Sequence, residues 1–101
     1  MQQARYWILT IPFESWNPPG ELYPGQAYMG GQREIGESGF DHWQVVTAFI
    51  RGVRRARVKE CFGESCHAEP TRSDAARRYC FKEESRVEGS QVLIRNKLFL
   101  Q

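Results

Sequence analysis

The sequence predicts an α+β protein with a central antiparallel sheet of about five strands flanked by helices. Segments rich in β-branched and aromatic residues lie at 5–11, 27–34 and 41–50, and the last two flank a turn punctuated by glycine. Helical patterns follow at 53–62 and 74–84. Because two successive strands are joined by a short turn, we expect an antiparallel sheet that the helices cover.

Length and composition indicate one domain over residues 1–101. Hydrophobic residues make up 41% of the chain and charged residues 26%, as in ordinary globular domains. No apolar run approaches the roughly 18 residues of a membrane span, and no secretory signal is visible, so we expect an intracellular protein. The odd number of cysteines, three, favours reduced thiols.

The first strand is predicted over 5–11, where apolar residues point to both faces, so we place it inside the sheet. It ends at Pro12. Residues 13–26 follow as a loop, because the prolines and glycines between 18 and 25 exclude a regular helix of any length.

The second and third strands form a hairpin, and we expect Gly52 to break the third. A helix over 53–62 then ends at Gly63. We expect its solvent-exposed face to carry basic residues and its buried face to carry the apolar residues Val53, Ala56, Val58, Cys61 and Phe62.

The last third of the chain reads as strand, helix and closing strand. A short strand over 66–69 ends at Pro70, and either Thr71 or Ser73 caps a helix over 74–84. Residues 91–100 form an apolar, β-rich segment that can add an edge strand.

His42 and Gln44 form the first half of a candidate site. In an extended strand their side chains share a face, and Glu34 can lie opposite them in the hairpin, although spacing alone leaves Glu37 and Asp41 open as the acid. Carboxylate, imidazole and amide oxygen are a ligand set for Mg²⁺ or Mn²⁺, with positions open for a substrate oxygen. Taken alone, a His-x-Gln strand is more often a satisfied polar pair.

Tyr79 and Lys82 form the second half. Residues three apart on a helix share a face, so the phenol and the ammonium would point in the same direction. The purely structural alternative is that Tyr79 packs against the sheet and Lys82 extends into solvent. A tyrosine phenol ordinarily titrates near about pH 10 and needs help as a nucleophile. A metal ion on a phosphodiester would give that help, and Lys82 would stabilise the developing negative charge. Strand transfer to Tyr79 would then be reversible without a nucleotide cofactor.

The net charge is only +2, but the basic residues cluster. A cluster of basic residues beside an acidic pocket is suited to binding a polyanion, although a solvent-exposed helix face explains the charge distribution equally well. We consider arginines and lysines for phosphate contacts, and exposed aromatic residues of the first strand for base stacking. These candidates are Tyr6, Trp7, Arg51, Arg54, Arg55, Arg57, Lys59, Arg77 and Arg78.

Several motifs stand in an order that resembles the HUH endonucleases, specifically the replication-initiator (Rep) domain of circovirus-like viruses with circular single-stranded DNA. Residues 7–12 are similar to the first family motif, and His42-Trp43-Gln44 to the metal motif. Residues 31–34 resemble the upstream segment with the metal-binding acid, Glu34 in this chain. Tyr79-Cys80-Phe81-Lys82 matches the Tyr-x-x-Lys nuclease motif, and residues 66–69 resemble the strand before it.

The resemblance implies a sheet of ferredoxin or RRM type and metal-dependent nicking of a single-stranded origin displayed on a hairpin. It implies that Tyr79 keeps the 5′ phosphate while the free 3′ hydroxyl primes rolling-circle replication, in the host nucleus. Relatives also carry a helicase domain, whereas this sequence has no Gly-x-x-x-x-Gly-Lys motif, so we expect neither unwinding nor a nucleotide cofactor.

Two alternatives stay open at this point. The first is a non-catalytic, RRM-like module that grips single-stranded nucleic acid with aromatic residues and arginines. The second is a metal-dependent hydrolase in which Tyr79 only positions the substrate.

Overall fold

One five-stranded sheet organises the protein in the computed structural model, which describes residues 2–72 and 74–96. In chain order the elements are β1 (Ala4–Pro12), a short 3₁₀ turn (Phe13–Ser15), β2 (Gln26–Ile35), β3 (Asp41–Val53), α1 (Arg55–Phe62), β4 (His67–Pro70), α2 (Asp74–Tyr79) and β5 (Val92–Arg95). The strand order is β4-β1-β3-β2-β5, and every neighbouring pair is antiparallel. The predicted α+β class with a central antiparallel sheet is therefore confirmed.

Each helix covers a different face of the sheet. On the α1 face, Val58 and Phe62 of α1 lie in a buried aromatic and aliphatic cluster with alternate residues of β1 and β3. On the α2 face, Ala76 and Cys80 pack against a smaller cluster of strand residues. The period-2 alternation of β3 decides this division, because its neighbouring residues belong to opposite faces. The larger core thus lies under α1, and α2 covers a thinner and more polar layer.

β1 lies inside the sheet, as its two-sided apolar pattern predicts, and pairs with β3 on one side and β4 on the other. Its alternate residues Trp7, Leu9 and Ile11 are buried in the α1-face core. Trp7 is only 1% exposed, and its indole Nε1 donates to the carbonyl of Ala4 at 2.9 Å. The expectation that Trp7 is exposed for base stacking is therefore wrong, because the alternation of β1 turns it into the core.

Gly52 does not break the third strand. β3 continues to Val53, which pairs with Ala4 beyond an irregularity in the ladder. α1 consequently begins at Arg55 rather than at residue 53, and Ala56 faces solvent instead of the core. Pairing with β1 across the sheet outweighs the local preference of glycine against strands.

The second helix is much shorter than the predicted 74–84, since α2 ends at Tyr79. The amides of Phe81 and Lys82 bond three residues back, in tighter turns. Beyond Gly31, where β5 no longer pairs with it, the outer edge of β2 bonds instead to residues 85–87. Residues 85–87 thus lie against the edge of β2, and the turn that leads into them stands in place of the last part of the predicted helix. Ser73, one of the two predicted caps, and residues 97–101 of the predicted closing strand lie outside the described residues.

Candidate active site

Glu34 and His42 lie opposite each other across the β2–β3 hairpin, on the α2 face. Glu34 is only 1% exposed, and its Oε1 lies 3.7 Å from Nε2 of His42. The Nδ1 of His42 is 3.2 Å from the carbonyl oxygen of Phe40, whose ring stacks on the imidazole. Because a carbonyl can only accept, Nδ1 of the neutral ring donates and the lone pair of Nε2 faces the carboxylate.

Two acceptor atoms cannot hydrogen-bond to each other, and a separation of 3.7 Å between Nε2 of His42 and Oε1 of Glu34 suits a cation between them. Metal–ligand distances of about 2.0–2.2 Å to each atom are compatible with that separation. The backbone bond to Nδ1 also orients the ring as metal-binding histidines require. Within the described residues no group of three or more His, Cys, Asp or Glu side chains is placed to hold a metal ion. Any ion here would therefore depend on Glu34, His42 and a neutral oxygen.

The other two acids near His42 are placed differently. Asp41 accepts two hydrogen bonds from Arg33, at 2.8 and 2.6 Å, and this pair lies on the α1 face, where the guanidinium covers the ring of Phe13. The guanidinium of Arg33 lowers the pKa of the Asp41 carboxyl. Glu37 is exposed in the turn between the strands. The geometry thus favours Glu34 among the three acids that spacing left open.

Gln44 is buried one residue pair further into the sheet, opposite Gln32. Its amide nitrogen donates to the carbonyl of Leu9 at 2.9 Å. Its oxygen accepts a long bond of 3.4 Å from the hydroxyl of Thr10. The side chain is therefore oriented by β1, while its oxygen has a weak partner and keeps acceptor capacity for a further ligand.

Lys82 connects the buried acid to Tyr79. The ammonium lies 2.6 Å from Oε1 of Glu34 and 4.1 Å from the centre of the Tyr79 ring. The hydroxyl of Ser85 also donates to Oε1, at 3.2 Å. Tyr79 itself is 50% exposed. A continuous chain of contacts therefore runs from an accessible phenol through an ammonium and a carboxylate to His42, all on one face of the sheet.

The closeness of Tyr79 and Lys82 does not have its predicted cause. Lys82 is not on the helix, so the two side chains are not helical neighbours; a turn after α2 brings them together. Gln32, which is fully buried, holds this turn against β2. Its amide nitrogen donates both to Oε2 of Glu34 at 3.0 Å and to the carbonyl of Lys82 at 2.5 Å.

Arg86 completes this attachment, and neither it nor Gln32 was predicted from the sequence. Its Nε donates to Oε1 of Gln32 at 3.0 Å, and its Nη2 donates to the carbonyl of Phe81 at 2.8 Å. We call Gln32 and Arg86 the tether. The only signal for Gln32 was that it lies two residues before Glu34 and so shares its strand face; for Arg86 no local signal existed.

Gly30 allows the turn to approach the sheet. A Cβ atom at this position would lie 2.5 Å from the hydroxyl oxygen of Tyr28 and 2.9 Å from the Phe81 ring, both closer than side chains tolerate. The absence of a side chain on β2 therefore makes room for the aromatic residue between Tyr79 and Lys82.

Cys80, inside the Tyr-x-x-Lys motif, is not a competing nucleophile. The thiol is fully buried, and burial, reinforced by the negative charge of Glu34, raises its pKa to about 12. It stays protonated at neutral pH, whereas thiolate is the reactive form. Of these two side chains, only Tyr79, which is 50% exposed, is accessible.

The basic candidates for DNA contact divide into two groups. Arg55 and Arg57 donate to backbone carbonyls of β4 and of the loop before β2, and Arg77 lies over the ring of Tyr28. Lys59 bonds the carbonyl of Glu64 at the end of α1. The remaining three are exposed, and their side chains make no hydrogen bond or ion pair with the described part of the chain: Arg51, Arg54 and Arg78.

These exposed arginines are not all near the site. Arg78 adjoins Tyr79, whereas Arg51 lies toward the far end of β3, roughly 30 Å from His42 at about 3.3 Å per residue. Tyr6, 40% exposed, lies toward that far end of the sheet as well and lines an open groove of about 740 Å³. Arg5 and Arg72 also line the groove, and none of its lining residues in the described part of the chain carries a carboxylate.

The fold and the site define an α+β protein with a two-part polar centre: a carboxylate–imidazole pair on a hairpin and a tyrosine–lysine turn held against it. The family model Viral_Rep, which represents viral replication proteins, matches residues 4–83. The chain belongs to this family and is a viral Rep domain. No curated protein matches the chain. None of the helices in the described ranges is long and apolar enough to cross a membrane.

Proposed function

We propose that the domain nicks and transfers single-stranded DNA at a replication origin, through a 5′-phosphotyrosine on Tyr79. A role in viral replication follows from the family, and the proposal adds the chemistry. The observation that supports it is the run of contacts from Tyr79 through Lys82 and Glu34 to His42, because it brings an accessible phenol and a carboxylate–imidazole pair to one face of the sheet.

In this mechanism Glu34, His42 and the oxygen of Gln44 would hold a divalent cation, Mg²⁺ or Mn²⁺. When bound, the cation makes the phosphodiester more electrophilic and neutralises charge that develops on it. Tyr79 attacks phosphorus with its phenolic oxygen and loses its proton to water. The bond to the 3′ oxygen breaks, and that oxygen takes up a proton to become the free 3′ hydroxyl.

Lys82 stabilises the phenolate and the anionic transition state, because its ammonium already lies beside the ring. One phosphoester replaces another, so the reverse reaction rejoins strands without a nucleotide cofactor. The groove around Tyr6 offers an aromatic ring and two guanidinium groups, which suit the bases and phosphates of a single strand. An origin stem-loop in the host nucleus is the substrate that the family resemblance suggests.

The decisive experiment incubates the domain with an origin-like stem-loop oligonucleotide and Mn²⁺. We expect a protein–DNA adduct that survives a denaturing gel and is absent in Tyr79→Phe. Tyr23→Phe is the matched control, because this phenol packs on the opposite face, where it accepts a bond from Trp16, and its loss should leave the adduct. Cleavage without an adduct would indicate a hydrolase, and tight binding of intact oligonucleotide a non-catalytic module.

His42→Ala separates the cation from the nucleophile. Without the imidazole we expect no cleavage, while affinity for the oligonucleotide stays within about tenfold, or about 1.4 kcal/mol. A His42→Ala protein that cuts at the normal rate would show that the imidazole is not a ligand. Binding measured by fluorescence anisotropy and cleavage measured on a gel give the two quantities separately.

A further inference from the structure

Lys82 is committed to the buried acid rather than to the phenol. Its ammonium lies 2.6 Å from Oε1 of Glu34, the same oxygen that faces His42. A carboxylate that is 1% exposed needs a cation beside it, because an unpaired buried charge is very costly. Among the described residues, Lys82 is the only lysine or arginine whose head group lies within 4 Å of this carboxylate. The ammonium therefore occupies the position where a divalent cation would find its charged ligand.

We propose that Lys82 is an exchangeable counter-ion: it neutralises Glu34 in the metal-free protein and yields that oxygen when a divalent cation binds. Once released, Lys82 turns fully to the phenol of Tyr79. The inference rests on the proposed function, since it assumes that Glu34 and His42 hold a cation. It adds that metal loading and preparation of the nucleophile are one coupled event.

The surroundings of Lys82 permit this exchange. Two cations cannot share one buried oxygen without strong repulsion, so the ammonium must leave when the site is loaded. The side chain is 26% exposed and already lies 4.1 Å from the Tyr79 ring centre, so its head group has both a short path and an exit to water. The backbone of Lys82 stays fixed meanwhile, because Gln32 bonds its carbonyl oxygen.

Exchange has two thermodynamic consequences. Lys82 weakens metal binding, because the ion must displace it. By linkage, whatever draws Lys82 away from Glu34 strengthens metal binding by the same factor. A DNA phosphate beside Tyr79 would attract Lys82 in this way and so strengthen metal binding. In the metal-free protein, Lys82 would stay on Glu34, and its ammonium would not be available to Tyr79.

The experiment measures Mn²⁺ affinity by electron paramagnetic resonance in the absence of DNA. We expect Lys82→Met to bind Mn²⁺ about tenfold more tightly than the wild type, within the usual range of coupling between sites. Lys82→Arg keeps a cation on Glu34 and should bind within about threefold of the wild type. Arg78→Met removes an exposed charge at the end of α2 that is not paired with Glu34, so the affinity of this variant for Mn²⁺ should also stay within about threefold.

A second measurement needs no substitution. On titration of the wild type with Mg²⁺, the ¹³Cε resonance of Lys82 should move with the same dissociation constant as the ring resonances of His42. This readout keeps the inference testable if Lys82→Met fails to fold, which melting by circular dichroism would reveal.

The outcomes are distinguishable. Equal or weaker Mn²⁺ binding by Lys82→Met, an equal gain in Arg78→Met, or a Lys82 resonance that stays still while His42 shifts would overturn the exchange and leave the proposed function standing. If neither the wild type nor Lys82→Met binds Mn²⁺, the proposed metal site fails, and the exchange fails with it.

Discussion

The tether makes the placement of Tyr79 dependent on a side chain that does not reach the substrate. Arg86 bonds Gln32 at 3.0 Å and the carbonyl of Phe81 at 2.8 Å, and so attaches the turn after α2 to the strand that bears Glu34. Replacing Arg86 by methionine keeps a long unbranched side chain and removes both bonds. We expect the turn to detach from β2 more often, while the sheet keeps its fold.

The size of the effect follows from the two bonds. Hydrogen bonds from charged donors contribute about 1.5–3 kcal/mol each when buried, and Arg86 is only partly buried, so we take about 1 kcal/mol for each. A loss of about 2 kcal/mol lowers the ratio of attached to detached turn about thirtyfold. The rate of adduct formation can therefore fall by up to about thirtyfold.

The assay is single-turnover adduct formation at saturating oligonucleotide, with the dissociation constant measured separately. Arg86→Met should slow the adduct while DNA affinity stays within about threefold, and Arg86→Lys should restore part of the rate through one remaining donor. Arg33→Met is the matched control. It removes two similar bonds, to Asp41, from the opposite face of β2.

Two results would refute the reasoning. Normal adduct formation by Arg86→Met would show that the turn is held without the tether. Equal slowing by Arg33→Met would show that any loss of stability in β2 has the same effect, so that Arg86 has no positioning role.

Two further predictions concern buried groups of the site. Glu34→Gln leaves the Lys82 ammonium without its partner. Because that ammonium can reach water, we expect the free energy of unfolding to fall by about 2 kcal/mol, less than the roughly 3–5 kcal/mol lost when a fully buried pair is broken. Without metal, this loss corresponds to a melting temperature about 8–16 °C lower. Calorimetry measures the change, and the exposed ion pair of Glu69 with Arg55 provides the control, since Glu69→Gln should change the free energy of unfolding by less than about 1 kcal/mol. An unchanged melting temperature for Glu34→Gln would contradict the buried pairing. Because burial raises the pKa of Cys80 to about 12, its thiol stays protonated at every pH well below that value. Iodoacetamide at pH 8 should therefore label Cys61 and spare Cys80 until the protein unfolds, and mass spectrometry that finds Cys80 alkylated in the native protein would show that it opens.

Part of the site could be predicted because it depends on local pattern. The alternation of β2 and β3 and the glycine-rich turn between them fix which side chains share a face, and the register places Glu34 opposite His42. That both Tyr79 and His42 belong to the α2 face could not be read from the sequence, because it depends on how α2 packs on the sheet.

The errors share one cause. Trp7, Gly52 and the end of α2 were judged by local composition, and in each instance pairing with a distant strand decided the outcome. An aromatic residue on an inner strand can face either the core or the solvent until the register is known. A helix can end earlier than its pattern predicts when the residues that follow it pair with a sheet edge.

The sequence by itself determined the strands and the hairpin that presents His42 and Glu34, since hydrophobic period and turn chemistry are local properties. Only the tertiary structure decided that Lys82 binds Glu34 and that Gln32 and Arg86 hold the tyrosine turn in place. These contacts join residues about fifty positions apart, and they exist because the free edge of β2 accepts residues 85–87. No local pattern in the chain records that pairing, so the arrangement of the site belongs to the fold.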